Sequence, residues 1–222
     1  MIFAAGRGTR MLDLTRTRPK PLIEVAGKPL IDHAHALTID AGIQNTVVNA
    51  HYLGDQIASH FNGRNVQISN EPDALLETGG GLKHALPLLG ADPVITLNSD
   101  AVWTGPNPIK RLMEAWDPDR MEALLMLVSN QNAVGHKGKG DFLMSETGRL
   151  TRGPGLTFTG CQIIKTNRIA TRPETVFSLN PVWDEMIQED GVFGICHDGN
   201  WCDVGHPEGI KLAEDMLERL NV

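Results

Sequence analysis

Ile2-Phe3-Ala4-Ala5-Gly6-Arg7-Gly8-Thr9-Arg10-Met11 sets the terms for the whole chain. A short apolar strand, Ile2-Phe3-Ala4, runs straight into a glycine-rich loop, and in parallel α/β sheets that is where main-chain amides meet phosphate. Gly6 and Gly8 permit a tight turn that aims several N–H groups at an anion. The loop is not a dinucleotide fingerprint, because Met11 stands where the third glycine belongs, and it lacks the Gly-Lys-Ser/Thr ending of a P-loop. It carries Arg10 instead, and Lys20 follows in Arg18-Pro19-Lys20-Pro21, where two prolines restrict the backbone around the lysine. Two cations fixed beside a glycine loop suit a polyphosphate, arginine by a forked contact and lysine as a point charge. The plain alternative is a surface turn with ordinary basic residues.

Outward from this loop, strand and helix signals alternate, the pattern of a parallel α/β sheet. A helix is predicted from Pro29 to Gly42, a strand at Thr46–Asn49, a short helix from Gly54 to Phe61 and a strand at Val66–Ser69. A second glycine-rich turn, Glu77-Thr78-Gly79-Gly80-Gly81, opens a helix through Leu89; a buried strand from Pro93 to Asn98 leads to Ser99-Asp100. Helix Ile109–Trp116 and strand Ala123–Val128 follow. From about Asn130, frequent glycines suggest hairpins; the clear elements beyond are a strand at Leu156–Lys165, a helix at Val182–Gln188, a strand at Phe193–His197 and a closing helix at Glu208–Leu220. No linker or repeat interrupts the chain. The expectation is one α/β domain, residues 1–222, with a small C-terminal substrate-binding lobe.

The 222 residues suffice for a real core, and 41% hydrophobic with 21% charged residues argues against disorder. With 20 Lys and Arg against 27 Asp and Glu, the net charge of −7 gives no general pull toward nucleic acid or an anionic membrane. An anionic ligand must then be caught by local cations, amides or a metal. Three cysteines (Cys161, Cys196, Cys202) cannot close a disulfide framework and favour a reducing cytoplasm. No apolar run is long enough to span a bilayer, and the N-terminus is not a signal peptide. The first strand starts at the first residue, so native residues are expected upstream of Met1.

Ala4-Ala5-Gly6-Arg7-Gly8-Thr9-Arg10-Met11 with Pro19-Lys20-Pro21 resembles the double signature of the sugar-1-phosphate nucleotidyltransferases. The resemblance implies a GT-A-like fold: a Rossmann-like mixed, mostly parallel sheet flanked by helices, residues 1–129 binding nucleotide and 130–222 binding the sugar phosphate and completing a metal site. It implies the reaction of an NTP with a sugar-1-phosphate to give an NDP-sugar and pyrophosphate. Arg10 and Lys20 take the catalytic positions. Ala5, Gly6, Gly8 and Thr9 meet the nucleotide, as do Glu77, Thr78 and Gly79 of the second loop, with Asn70 and Glu71 near the base-reading position. Asp100, at the end of a parallel strand, and Asp203 of Trp201-Cys202-Asp203-Val204-Gly205 fall on the family's two Mg2+ ligands. Ser99 stands where a glycine is usual. Read alone, Asp100 could be no more than a turn residue or helix cap, and Gly79–Gly81 no more than the start of a helix. Gly140, Asp141, Thr159 and Gly160 fall in the sugar-phosphate region, where no Glu-x-Lys-Pro element is found.

Within the family, the short length, Glu77-Thr78-Gly79-Gly80-Gly81 and Gly140-Asp141-Phe142 most resemble the N-acetylmuramate-1-phosphate uridylyltransferases of cell-wall recycling, which points to UTP; mannose-1-phosphate guanylyltransferase-like proteins share many of these signatures. A nucleophile that is already an ionised phosphate needs no general base, so a missing Ser-His-Asp or Cys-His set is expected. A zinc cluster from Cys196, His197, Cys202 and His206 fails on spacing, and because Cys202 and Asp203 should point to opposite faces of a strand. A dinucleotide-dependent oxidoreductase fails on the third glycine. A non-catalytic nucleotide-sugar sensor is the rival from another class, and it could dispense with Lys20 or one carboxylate. His51 and Tyr52 could line the nucleotide side, and Trp103 could close over a ring or pack in the core. Monomer and homodimer are both open.

Overall fold

Ala123-Leu124-Leu125-Met126-Leu127-Val128 is buried at every position, as a strand must be when both faces of its sheet are covered. Side chains alternate between faces. Leu124 and Met126 pack with Ile2, Ile31, Ile57, Ile109 and Leu112, whereas Leu125 and Leu127 pack with Leu82, Phe142, Trp183 and Met186. One strand thus divides the hydrophobic core into two layers, one on each side of the sheet.

The protein is described by a computed structural model over residues 1–71 and 73–219. Seven strands form the central sheet in the order Val192–Cys196, Ala123–Val128, Thr157–Ile164, Val94–Asn98, Ile2–Phe3, Thr46–Ala50, Val66–Asn70. All run parallel except Thr157–Ile164, which is antiparallel to both its neighbours. The mixed, mostly parallel sheet anticipated from the sequence is therefore observed. Helices Leu30–Asp40, Gly54–His60 and Pro108–Ala115 cover one face; Glu77–Leu89 and Asn180–Gln188 cover the other. A smaller sheet of Ala101–Trp103, Trp201–Asp203 and Ala133–Val134 packs with the closing helix Pro207–Glu218 around Met11, Val102, Val204 and Met216. The predicted end of that helix, Leu220, lies outside the described residues.

One local reading changes. The stretch Glu77–Gly81 is not a turn that opens a helix but the first part of the helix Glu77–Leu89 itself, with Gly79, Gly80 and Gly81 all buried. The glycines are there for close packing: an alanine methyl at Gly80 would lie 2.1 Å from the Thr175 carbonyl oxygen, and one at Gly79 would lie 2.4 Å from the Phe177 ring. The first loop, in turn, continues as a kinked 3-10 segment, Thr9–Thr15, in which Leu12 has a positive φ of 55°.

Candidate active site

The first loop leaves the sheet at the carboxyl end of its strand and is held there by a relay of polar groups. Ala4 N–H donates to Asn49 Oδ1 at 2.7 Å, Asn49 Nδ2 donates to Glu71 Oε1 at 2.7 Å, and Leu76 N–H donates to Glu71 Oε2 at 3.2 Å. Glu71 is only 2% exposed. It was expected near a nucleobase; it is instead an internal strut that ties the first loop to the approach of the second, and its carboxylate is spent on that task. Asn70 also falls outside the cleft, exposed, with its carbonyl bonded to the His84 ring. His51 Nδ1 lies 2.6 Å from the Glu71 carbonyl oxygen, and the Tyr52 hydroxyl donates to the Thr15 carbonyl at 2.9 Å, so both brace loops. Trp103 packs edge-on to His197 with ring centroids 5.0 Å apart.

Gly8 adopts φ 62°, and a methyl group on it would lie 2.7 Å from Lys20 Cβ. Glycine is required here twice over, by the left-handed backbone and by the lysine stem against it. Pro19 and Pro21 flank Lys20, Pro19 as the cap and Pro21 within the short 3-10 turn Lys20–Leu22 that delivers Lys20 into the cleft. There its ammonium donates to Asp100 Oδ2 at 2.7 Å, and the lysine is 8% exposed.

Asp100 and Asp203, far apart in sequence, meet through the small sheet. Trp201–Asp203 pairs antiparallel with Ala101–Trp103, with Asp203 opposite Ala101, and Val204 N–H donates to the Asp100 carbonyl at 2.9 Å. Burial, and next the adjacent Asp100 carboxylate, push the Asp203 carboxyl above its ordinary range against the pull of Lys20, Arg10 and His136. Two hard carboxylates side by side, beside a cleft open to further oxygens, form a donor set suited to Mg2+, which takes one or two carboxylates and completes its shell with phosphate and water. Cys202 points the other way, buried, with its thiol pushed up to about 12 by burial and then by Asp203. Among the described residues no three His, Cys, Asp or Glu side chains gather into a metal-binding group.

Ala5, Gly6, Gly8, Thr9, Arg10, Lys20, Glu77, Thr78 and Asp100 all line one cavity of about 300 Å³. A second cavity, about 240 Å³, adjoins it; Phe3, Thr78 and Asn98 belong to both walls, so the two are compartments of one cleft. Asp141 and Gly160 line the second cavity, and Asp141 Oδ2 accepts from Phe158 N–H at 2.9 Å. Asp203 faces a third hollow of about 470 Å³, which shares Arg10 with the first.

Besides Asn70 and Glu71, three further expected residues are not on these walls. Gly79 is covered by Phe177, whose carbonyl takes its N–H at 2.9 Å. Gly140 packs on the Gly155 backbone. Thr159 is fully buried, and its hydroxyl donates to the Met126 carbonyl at 2.7 Å. Strand alternation explains the last: Phe158, Gly160 and Gln162 look into the second cavity, so Thr159 cannot. The same rule could have drawn attention to Gln162, and the strand-end rule to Asn49 and Asn98. Arg152 and Trp183 reach the cavity through long-range packing that no local pattern announces.

The arrangement as a whole offers amides and cations for a triphosphate, a carboxylate pair for a divalent ion, and a separate polar and aromatic compartment for a second substrate. Residues 1–154 match the family model of the MobA-like NTP transferase domain. The chain is 39% identical to the N-acetylmuramate alpha-1-phosphate uridylyltransferase of Caulobacter vibrioides, over 98% of this chain and 96% of that protein. It is 37% identical to the protein of the same name from Neisseria meningitidis serogroup B, over 97% and 96% of the two chains. In structure it superposes on HddC of Yersinia pseudotuberculosis, solved with GMP-PN, with a TM-score of 0.78 at 21% identity, covering 97% of each chain. On that coverage and identity, the chain belongs to the family of the MobA-like NTP transferase domain and is a sugar-1-phosphate nucleotidyltransferase.

Proposed function

We propose that this chain transfers the uridylyl group of UTP to N-acetylmuramate α-1-phosphate, with release of pyrophosphate, a salvage step of cell-wall recycling. The observation that carries the reading is the divided cleft, with Lys20 and Asp100 in the nucleotide compartment and Phe3, Thr78 and Asn98 on the boundary with the second. The base and sugar are taken from the two relatives that match over nearly their whole length.

In this reading a phosphate oxygen of the sugar-1-phosphate attacks the α-phosphorus in line. A new P–O bond forms as the bond to the β-phosphate oxygen breaks, and pyrophosphate leaves with that electron pair. No proton has to move. The barrier is the approach of two anions and the charge that builds on the leaving group. Arg10 and the amides around Gly6 and Gly8 hold the β- and γ-phosphates, with Ala5 and Thr9 along the same wall. Lys20 sits between the α-phosphate and the sugar phosphate and offsets their repulsion. Glu77 and Thr78 face the nucleoside; Asp141 and Gly160 face the sugar phosphate. Residues 1–129 thus serve the nucleotide, and 130–222 serve the sugar and supply Asp203, within one domain. Asp100 and Asp203 would hold Mg2+, which when bound supplies Lewis-acid charge to the phosphates. Among the described residues no helix is long and apolar enough to cross a membrane. Cys161, Cys196 and Cys202 are unpaired, which suits a cytoplasmic enzyme.

Pyrophosphate release across the four NTPs and a set of sugar-1-phosphates tests the proposal. UTP with N-acetylmuramate α-1-phosphate should give the highest kcat/KM. GTP with mannose-1-phosphate as the best pair would overturn it, and no release from any pair would return the chain to the class of binding proteins. The metal assignment has its own test. Asp203→Asn should raise the half-saturating Mg2+ concentration at least about tenfold, since even an outer-shell partner of a metal costs that much. An unchanged Mg2+ titration would remove Asp203 from the metal site.

A further inference from the structure

Among the described residues, one cation lines the second cavity, Arg152, and the transfer chemistry makes no demand on it. It ends the strand Leu150–Arg152, paired across to Phe142, and its guanidinium carbon lies 4.7 Å from the Phe142 ring centroid and 5.6 Å from that of Trp183. Nε donates to Asp184 Oδ1 at 2.7 Å, and Nη2 donates to Asn180 Oδ1 at 2.9 Å and to the Asn180 carbonyl at 3.2 Å. Nη1 has no acceptor among the described residues. The Trp183 ring beneath is itself fixed, since its Nε1 donates to Gln162 Oε1 at 2.9 Å and Gln162 Nε2 donates to Thr96 Oγ1 at 3.1 Å. The guanidinium is therefore oriented in advance, with one donor nitrogen uncommitted. Asp141, the cavity's acidic residue, already accepts the Phe158 N–H.

We propose that Arg152 is a specificity-determining residue that reads a carboxylate carried by the sugar. The inference rests on N-acetylmuramate being the acceptor sugar: its lactyl ether ends in a carboxylate, the charge that separates it from N-acetylglucosamine. An arginine stacked on aromatic rings is weakly hydrated and loses little freedom on pairing, so a carboxylate that displaces water from Nη1 gains a charge-assisted hydrogen bond. Asp184 stays on the Nε edge, where it is half exposed and holds the orientation.

The test compares N-acetylmuramate α-1-phosphate with the methyl ester of its lactyl carboxylate, each with saturating UTP. The wild-type enzyme should favour the acid by about a hundredfold in kcat/KM, the size of one charge-assisted hydrogen bond. In Arg152→Met, which keeps an apolar stem over the rings, and in Arg152→Gln as a second variant, the ratio should fall to within about threefold of one. A wild-type ratio near one with good turnover of the acid overturns the role of Arg152 and leaves the acceptor sugar standing. A hundredfold ratio that survives in either variant also overturns it, since another group then reads the carboxylate. Absence of turnover of the acid in the wild type overturns the acceptor sugar and this inference together.

Discussion

Lys20→Met is expected to lower kcat by about two to four decades, or about 3 to 5 kcal/mol of transition-state stabilisation. Methionine keeps the stem that packs on Gly8 and removes only the ammonium. Two losses then coincide. The approaching phosphates lose the cation between them, and Asp100, held by Lys20 at 2.7 Å, is left as an uncompensated negative charge in the same compartment. The KM values should move far less than kcat, because the phosphates retain Arg10 and the loop amides in the ground state. Steady-state pyrophosphate release measures both. Turnover within about threefold of wild type would remove Lys20 from the reaction. Lys20→Met with Asp100→Asn should cost less than the two single losses combined, since residues in direct contact are not additive.

The other large effect is on stability. In an ordinary helix interior, glycine to alanine stabilises by about 1 kcal/mol. Gly80→Ala should do the reverse, destabilising by about 3 kcal/mol, because the new methyl meets the Thr175 carbonyl oxygen at 2.1 Å and a backbone oxygen cannot swing aside. For a chain of this size that is a fall in Tm of roughly 6 to 12 °C. The strap from Thr175 to Leu179 should loosen first. It rests on the Gly79 and Gly80 N–H groups, both donating to the Phe177 carbonyl at 2.9 Å, and on the Thr78 hydroxyl, which accepts the Leu179 N–H at 3.0 Å. Thermal denaturation and amide exchange over this strap check both points. A Tm equal to or above wild type would show that the strap yields, and that the glycines serve something other than packing.

The triplet also marks where sequence and structure part company. Three glycines after a strand look like a ligand loop because both uses need a missing Cβ; only the partner differs, and here it is the backbone around Thr175, nearly a hundred residues away. The main sheet was legible because its strands are dense in β-branched and aliphatic residues, and Thr46–Ala50 and Val94–Asn98 end within a residue of where the pattern ends. Ala101–Trp103 was not legible: a three-residue strand directly after Asp100 exists only because Trp201–Asp203 comes back to pair with it. In the site, the residues of the first loop were readable from local chemistry, since glycine, arginine and proline-bracketed lysine announce an anion. Glu71 was misplaced because a carboxylate at a strand end looks the same whether it faces a ligand or a buried asparagine. Arg152, Gln162 and Trp183 depend on register and helix packing, which local pattern does not carry.

The lone antiparallel strand, Thr157–Ile164, bears on how such an enzyme can change its preferences. The nucleotide compartment is built largely from loops, with Ala5, Gly6, Gly8 and Leu75 on its wall, and loops accept insertion and exchange. The second compartment is floored by Thr96 and Gln162, paired with each other across adjacent strands in the middle of the sheet, and by Gly160 at the register shift between Phe158 and Gln162. Altered choice of base should therefore arise in descendants of this chain by loop replacement. Altered choice of sugar should arise by single substitutions that leave the chain length untouched, and a library for redesigning each should be drawn accordingly.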